Sequence, residues 1–144
     1  MASLEVRSLD RKCITVLLDT NILILAINRS IDIFSEIERL IPELHRCAVL
    51  SSVVDELNKL ASLGSNKDKI LARAALKIVN RCEVIHINSY TDTDESILYF
   101  AKNNRGGIVV ATNDFNLKHK LRDMGIPVIY LRDFDHLDIE GEIF

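Results

Sequence analysis

The run Ile14-Thr15-Val16-Leu17-Leu18, broken abruptly by Asp19-Thr20-Asn21, constrains this chain more than any other stretch. A strand that stays apolar along its length is covered on both faces, as in a parallel sheet packed between helices. Asp19 then stands at the strand's carboxyl end, outside which open α/β sheets gather their ligands. Two readings of it stay open at this point. Asp19 is a cap or turn residue, with Thr20 or Asn21 as alternative caps for the next helix, or it belongs to a site.

The same pattern recurs along the chain. Cys47-Ala48-Val49-Leu50 stops at Ser51-Ser52, which can cap a helix burying Val53, Val54, Leu57, Leu60 and Ala61. Val84-Ile85-His86-Ile87 reads as a third strand, and Ile108-Val109-Val110-Ala111 as a fourth that runs into Thr112-Asn113-Asp114. Val128-Ile129-Tyr130-Leu131, after Pro127, makes a fifth. Between them, helical spacing predicts helices carrying Ile22, Leu23, Leu25 and Ala26, then Ile33 to Ile41 before Pro42, then one from about Asp68 to Asn80. A further helix opens at Asp92 or Thr93 and ends at Gly106-Gly107, and a short one holds Leu117, Leu121 and Met124 before Gly125. Strands alternating with helices predict an α/β fold, a three-layer α/β/α sandwich with a central parallel sheet of about five strands. With 144 residues and 48% hydrophobic content, the chain fits one domain over 1–144, its core at about 13–132. The acidic extension, 133–144, carries Phe134, Leu137, Ile139, Ile143 and Phe144, and is expected to pack on the body or on another subunit.

Composition narrows the class. A net charge of -3 argues against a strongly basic nucleic-acid scaffold, although a local basic patch is compatible with it. Cys13, Cys47 and Cys82 have no close pair, which disfavours a zinc site or disulfide framework and predicts buried, reduced thiols. Met1 to Lys12 lacks a long apolar segment and no later run is long enough to span a bilayer, so a cytoplasmic protein without membrane association is expected.

Right-handed crossovers bring all strand ends to one rim, so Asp19 and Asp114 share it. Glu56, with Asp55 in the first turns of its helix, and Asp94, in the first turn of another, can point to the same place. Each taken alone has a plain explanation, since acids at helix starts favour the dipole. Together, unpaired carboxylates repel unless a proton or a divalent cation compensates them. Oxygen-only ligation suits Mg2+ or Mn2+, which hold phosphates and activate water, making phosphodiester hydrolysis the natural reaction class. No glycine-rich phosphate loop, nucleophile elbow or Cys-His pairing stands out. His86, on an apolar strand, reads as a core histidine. Lys69, Arg73, Lys77 and Arg81 are spaced by fours into a cationic stripe, an RNA contact or an ordinary solvated face.

Asp-Thr-Asn after an apolar strand, Ser-Ser-Val-Val-Asp-Glu-Leu, the acidic helix start at Asp94 and Val-Ala-Thr-Asn-Asp, in this order, resemble the PIN-domain family over nearly the whole chain. The resemblance implies a metal-dependent ribonuclease, with Asp19, Glu56, Asp94 and Asp114 as metal-binding, catalytic acids. Thr112 and Asn21 would be polar support, and Asp92 and Glu95 weaker candidates. Several relatives have another acid where this chain has Asn116, which puts a second metal in doubt. Leu117-Lys118 after the last acid looks more like stand-alone PIN nucleases of ribosomal RNA processing than like VapC toxins. The partners implied are RNA, a second copy in a homodimer, and either an antitoxin or a ribosome-assembly factor. Two rivals remain: a PIN-like RNA-binding module without useful catalysis, and a phosphoacceptor receiver domain, which wants a paired acid where Asp19 is followed by Thr20.

Overall fold

A computed structural model describes residues 13–88 and 92–143. The expectations for Met1 to Lys12 and for Phe144 lie outside the described residues. The strands are β1 (Ile14–Leu18), β2 (His45–Leu50), β3 (Glu83–Ile85), β4 (Ile108–Ala111), β5 (Val128–Arg132) and β6 (His136–Glu140). The helices are α1 (Thr20–Asn28), α2 (Ile33–Leu40), α3 (Ser51–Leu63), α4 (Asn66–Val79), α5 (Thr93–Lys102) and α6 (Phe115–Asp123).

The sheet order is β3-β2-β1-β4-β5-β6, parallel except for β6. The chain builds outward from β1 through β2 to β3, then crosses back to place β4 on the other side of β1. That reversal leaves a crevice outside the carboxyl ends of β1 and β4, the topological switch point at which such sheets bind ligands. Leu18 pairs with Ala111 across the seam, so the residues following the two strands emerge side by side.

Strand alternation divides the core in two. Ile14, Val16 and Leu18 of β1, with Val109 and Ala111 of β4, face a layer built by Leu23 of α1, Ile37 of α2, Leu57 of α3 and Ala75 of α4. Leu17, Val110 and Val128 face the opposite layer, where Ile97 and Ala101 of α5 meet Leu117 and Leu121 of α6. Both faces of β1 are thus buried, which is why its sequence shows no polar alternation. Two small departures from expectation are local. Leu50, not Ser51 or Ser52, occupies the α3 cap, with no side-chain bond. Ser51 Oγ instead accepts the Ile87 N–H at 3.4 Å, so the strand end is tied across rather than the helix capped. His86 is exposed, because β3 ends at Ile85 before reaching it, and the core-histidine expectation is corrected.

The acidic segment after β5 is part of the sheet. β6 pairs antiparallel with β5 through a tight turn, and buried Leu137 enters the core. On its outer edge, the Leu137 N–H donates to Glu36 Oε1 at 2.8 Å, and Arg39 Nη2 donates to the Leu137 carbonyl at 2.7 Å. Glu36 and Arg39 also pair with each other on α2, at 3.0 Å. Among the described residues no helix is long and apolar enough to cross a membrane.

Candidate active site

Asp19 follows β1 directly, and its N–H continues the sheet by donating to the Ala111 carbonyl at 2.9 Å. It is only 3% exposed. Burying a carboxylate costs several kcal/mol unless its oxygens are satisfied, and here they are. Oδ1 accepts the Thr20 N–H at 2.8 Å; Oδ2 accepts the Thr112 hydroxyl at 2.7 Å and the Asn21 amide at 3.1 Å. Asp19 is therefore itself the cap of α1, not Thr20 or Asn21. Capping uses Oδ1 and leaves Oδ2 turned to Thr112 and Asn21 at the rim.

Thr112, fully buried after β4, also accepts the Asp114 N–H at 3.1 Å. Asp114 caps α6 through Oδ1, which accepts the Leu117 N–H at 3.0 Å. Asn21 and Asn113 complete the bracing. Asn21 Oδ1 accepts the Asn113 N–H at 2.8 Å, and Asn113 Oδ1 accepts the Leu131 N–H of β5 at 3.1 Å. Asn113 was not singled out by sequence, because both of its partners lie far along the chain.

Glu56 reaches the same rim from α3. It lies beyond the first turn, which contains no acid, so dipole compensation does not account for it. Its Oε1 accepts hydroxyls from Thr20 of α1 at 3.0 Å and Thr93 of α5 at 2.6 Å, joining three helices at one oxygen. Thr93, unremarkable in sequence, is thus a site residue that only the fold reveals. Asp94 follows it in the first turn of α5.

The acids act on one another electrostatically. Burial pushes the Asp94 carboxyl up to about 6, and the carboxylates of Asp114, Asp19 and Asp92 and a hydrogen bond with Asp114 push it the same way. Asp19 is also raised, first by burial. The Thr112 hydroxyl and Thr20 N–H oppose the rise, while Glu56 and Asp114 add to it. Among the described residues no Lys, Arg or His forms an ion pair with Asp19, Glu56, Asp94 or Asp114. The amino ends of α1, α5 and α6 open here, offering partial positive charge to an anion such as a phosphate.

An all-oxygen, uncompensated donor set fits a hard divalent cation. As the side chains stand, no three His, Cys, Asp or Glu among the described residues converge within ligating reach of one point. The hydrogen bonds explain this: Glu56 is held by two threonines, and one oxygen each of Asp19 and Asp114 by a helix N–H.

The remaining candidates separate. Asp92 is the cap of α5, its side chain accepting the Glu95 N–H at 2.8 Å, and Glu95 is exposed. Asn116 is exposed in the first turn of α6. Lys69, Arg73 and Lys77 lie along α4, but Arg81 departs from the expected stripe. The helix ends at Val79, and the Arg81 guanidinium packs over the Phe34 ring at 4.0 Å. The three cysteines are free and half-buried; burial raises Cys47 to about 11 and Cys82 to about 12, far from thiolate chemistry.

The chain matches the family model described as PIN-like domain over residues 16–134. Ribonuclease VapC4 of Methanocaldococcus jannaschii is 36% identical over 128 residues, 87% of this chain and 95% of that protein. Ribonuclease VapC9 of Archaeoglobus fulgidus is 31% identical over 134 residues, 93% of this chain and 95% of that protein. Among solved structures, the PIN domain endonuclease Utp24 superposes with a TM-score of 0.73 at 25% identity, covering 90% of this chain and 92% of that one. VapBC2 from Rickettsia felis, solved bound to a DNA fragment from their promoter, shares the fold at a TM-score of 0.54 and 19% identity, covering 81% of this chain and 98% of that one.

Proposed function

The chain belongs to the PIN-like domain family, and from that premise we propose that it is a cytoplasmic Mg2+- or Mn2+-dependent endoribonuclease. The observation that carries the reading is the buried, hydrogen-bonded Asp19 at the β1–β4 switch point, with Glu56, Asp94 and Asp114 on the same rim and, among the described residues, no cation paired with any of them. These four acids would hold the ion, which supplies charge neutralisation at the scissile phosphate and an activated water.

The protein's own groups do the positioning. Thr112, Asn21 and the Thr20 N–H fix the Asp19 carboxylate so that it does not reorganise when the phosphate arrives. Asp114 is anchored by one oxygen to the Leu117 N–H of α6, which leaves the other to face the cluster. Thr20 and Thr93 hold Glu56, and the three helix amino ends favour the phosphate's negative charge. Asp94, which holds a proton more readily than an ordinary carboxyl, is the group most able to exchange that proton for the cation. Lys69, Arg73 and Lys77 supply backbone contacts at a distance from the chemistry.

RNA as substrate is supported by the names of both curated relatives, each called a ribonuclease. Internal cutting draws support from the likeness to Utp24, a PIN domain endonuclease, and RNA processing is the role we propose for it. The alternative, a toxin held by an antitoxin partner, draws support from the VapC names and from the VapBC2 complex. The test is cleavage of end-labelled single-stranded RNA by the purified chain with Mg2+, with Mn2+ and with chelator. Metal-dependent internal cuts, lost in Asp19→Asn with the fold intact, are expected. RNA bound but never cut under any divalent ion would instead make this a binding module.

A further inference from the structure

Two of the large hydrophobic side chains left exposed lie directly beyond the carboxyl ends of neighbouring strands. Phe115, 77% exposed, is the first residue of α6 and follows Asp114 in the chain. Its ring lies 19° from parallel with His119, one helical turn on, with centroids 6.4 Å apart. Phe134, 67% exposed, is in the β5–β6 turn, with the Arg29 guanidinium 4.8 Å from its centroid. Both it and Asp133 have left-handed backbone, at φ 64° and 52°. A bulky residue there is an outlier, and strain of this kind persists at functional sites when the surroundings enforce it.

The hairpin enforces it: Arg132 pairs with His136 and the Asp135 N–H donates to the Arg132 carbonyl at 3.4 Å, so the chain must reverse within this turn. The strands that carry both rings are also tied to the rim. β4 and β5 are paired, and beyond the pairing the Thr112 N–H donates to the Ile129 carbonyl at 2.9 Å while Asn113 holds the Leu131 N–H. Asn113 is also bonded to Asn21, beside Asp19. The mounts of both rings are therefore braced to the acid cluster itself. A cation stands beside one ring and another near the second: Arg29 lies against Phe134, and Lys120 follows Phe115 on α6. The other basic residues of α6 are engaged: Lys118 and Arg122 pair with Glu140, and His119 faces Asp123. Flat exposed rings with cations close by are how proteins hold unpaired nucleic-acid bases, whereas a duplex keeps its bases stacked on one another.

Resting on the nuclease reading above, we propose that Phe115 and Phe134 are stacking positions for two unpaired bases of the substrate, and that they restrict the enzyme to single-stranded RNA. Neither ring touches the reacting atoms; both act by placing the strand across the acids.

The test uses the full chain, with calcium in place of magnesium, and short RNAs carrying a fluorescent adenine analogue at each position in turn. Stacking quenches the analogue. Wild type should quench at two positions, with Phe115→Ala losing one and Phe134→Ala the other. Each change should weaken single-stranded RNA binding by about tenfold to a hundredfold and leave duplex binding unmoved. Phe134→Gly separates binding from folding, because glycine relieves the left-handed strain: the melting temperature should hold or rise while the affinity falls as in Phe134→Ala. Undiminished affinity and quenching in the variants, in a protein that binds and cuts RNA, would overturn the stacking assignment and leave the nuclease reading standing. Equal losses on single strand and duplex would overturn it too. A wild type that neither binds nor cuts RNA would remove both.

Discussion

Thr112 Oγ donates to Asp19 Oδ2 at 2.7 Å across the seam between β1 and β4, and the same oxygen accepts the Asp114 N–H at 3.1 Å. One hydroxyl thus sets the position of the buried acid and the turn that presents the second. Thr112→Val keeps the shape and removes both bonds. A hydrogen bond to a charged group is worth roughly 1.5–3 kcal/mol, so in chelator at pH 8 a loss of about 2 kcal/mol is expected by chemical denaturation. Burial already raises Asp19, so the loss should shrink as pH falls and the carboxyl takes up a proton. Thr112→Ser should restore most of it. A Val variant equally stable and equally active would show that the bond is incidental.

Asp94 gives the opposite sign. Its carboxyl is raised to about 6 from 3.8, so between those values the folded protein binds more protons than the unfolded one, and stability falls as pH rises through that window. Above pH 6 the ionised group opposes folding. Because Asp94 is only partly buried, the penalty after solvent screening is about 1 kcal/mol. Asp94→Asn should therefore stabilise the metal-free protein by about that amount at pH 8, with no gain near pH 4. With manganese present the ranking should reverse, since an ion bound only by the fold stabilises wild type by mass action. Melting curves with and without chelator at two pH values check both halves.

The cationic residues divide into two groups that one salt titration can tell apart. Changing two of Lys69, Arg73 and Lys77 to Ala should lower the log-log salt slope of RNA binding by about one unit for each phosphate no longer neutralised. Arg81→Ala should leave that slope alone and instead cost about 0.5–1 kcal/mol of stability, the worth of an exposed cation–π contact, here with Phe34. Equal slopes in all variants would return α4 to a solvated face.

Asn116 stands just beyond Asp114 at the amino end of α6, where an acid is compatible with the helix dipole. Asn116→Asp should raise manganese affinity or turnover and add a few tenths of a kcal/mol to the stability of α6. Calorimetric titration showing unchanged affinity and stoichiometry would mean that this position does not complete a second metal site.

The parallel sheet and its rim were legible because burial on both faces leaves an unmistakable apolar run, as at Ile14–Leu18 and Ile108–Ala111. Asp19, Glu56, Asp94 and Asp114 could be named from local strings, and the fold brings them to one rim. What escaped depends on bonds between distant segments. Thr93 and Asn113 matter only through partners far along the chain, Glu56 for the first and Asn21 for the second, which no local pattern announces. β6 was legible in principle, since His136-Leu137-Asp138-Ile139-Glu140 alternates with period two, but its charge made it read as a tail. Arg81 shows the limit of counting by fours, because spacing cannot say where the helix stops.

The outer edge of β6 has a consequence for life in a crowded solution. An unpaired strand at the margin of a sheet is a template on which a second molecule can add its own, and from there fibres grow. Leu137 offers the outward amide and carbonyl for such growth, and both are occupied: Glu36 takes the first and Arg39 the second. A foreign strand would have to displace an ion pair held within one helix before it gained a backbone bond at Leu137. At Leu137 this margin is closed by two side chains rather than by a further element, which opposes the addition of a strand at the middle of β6.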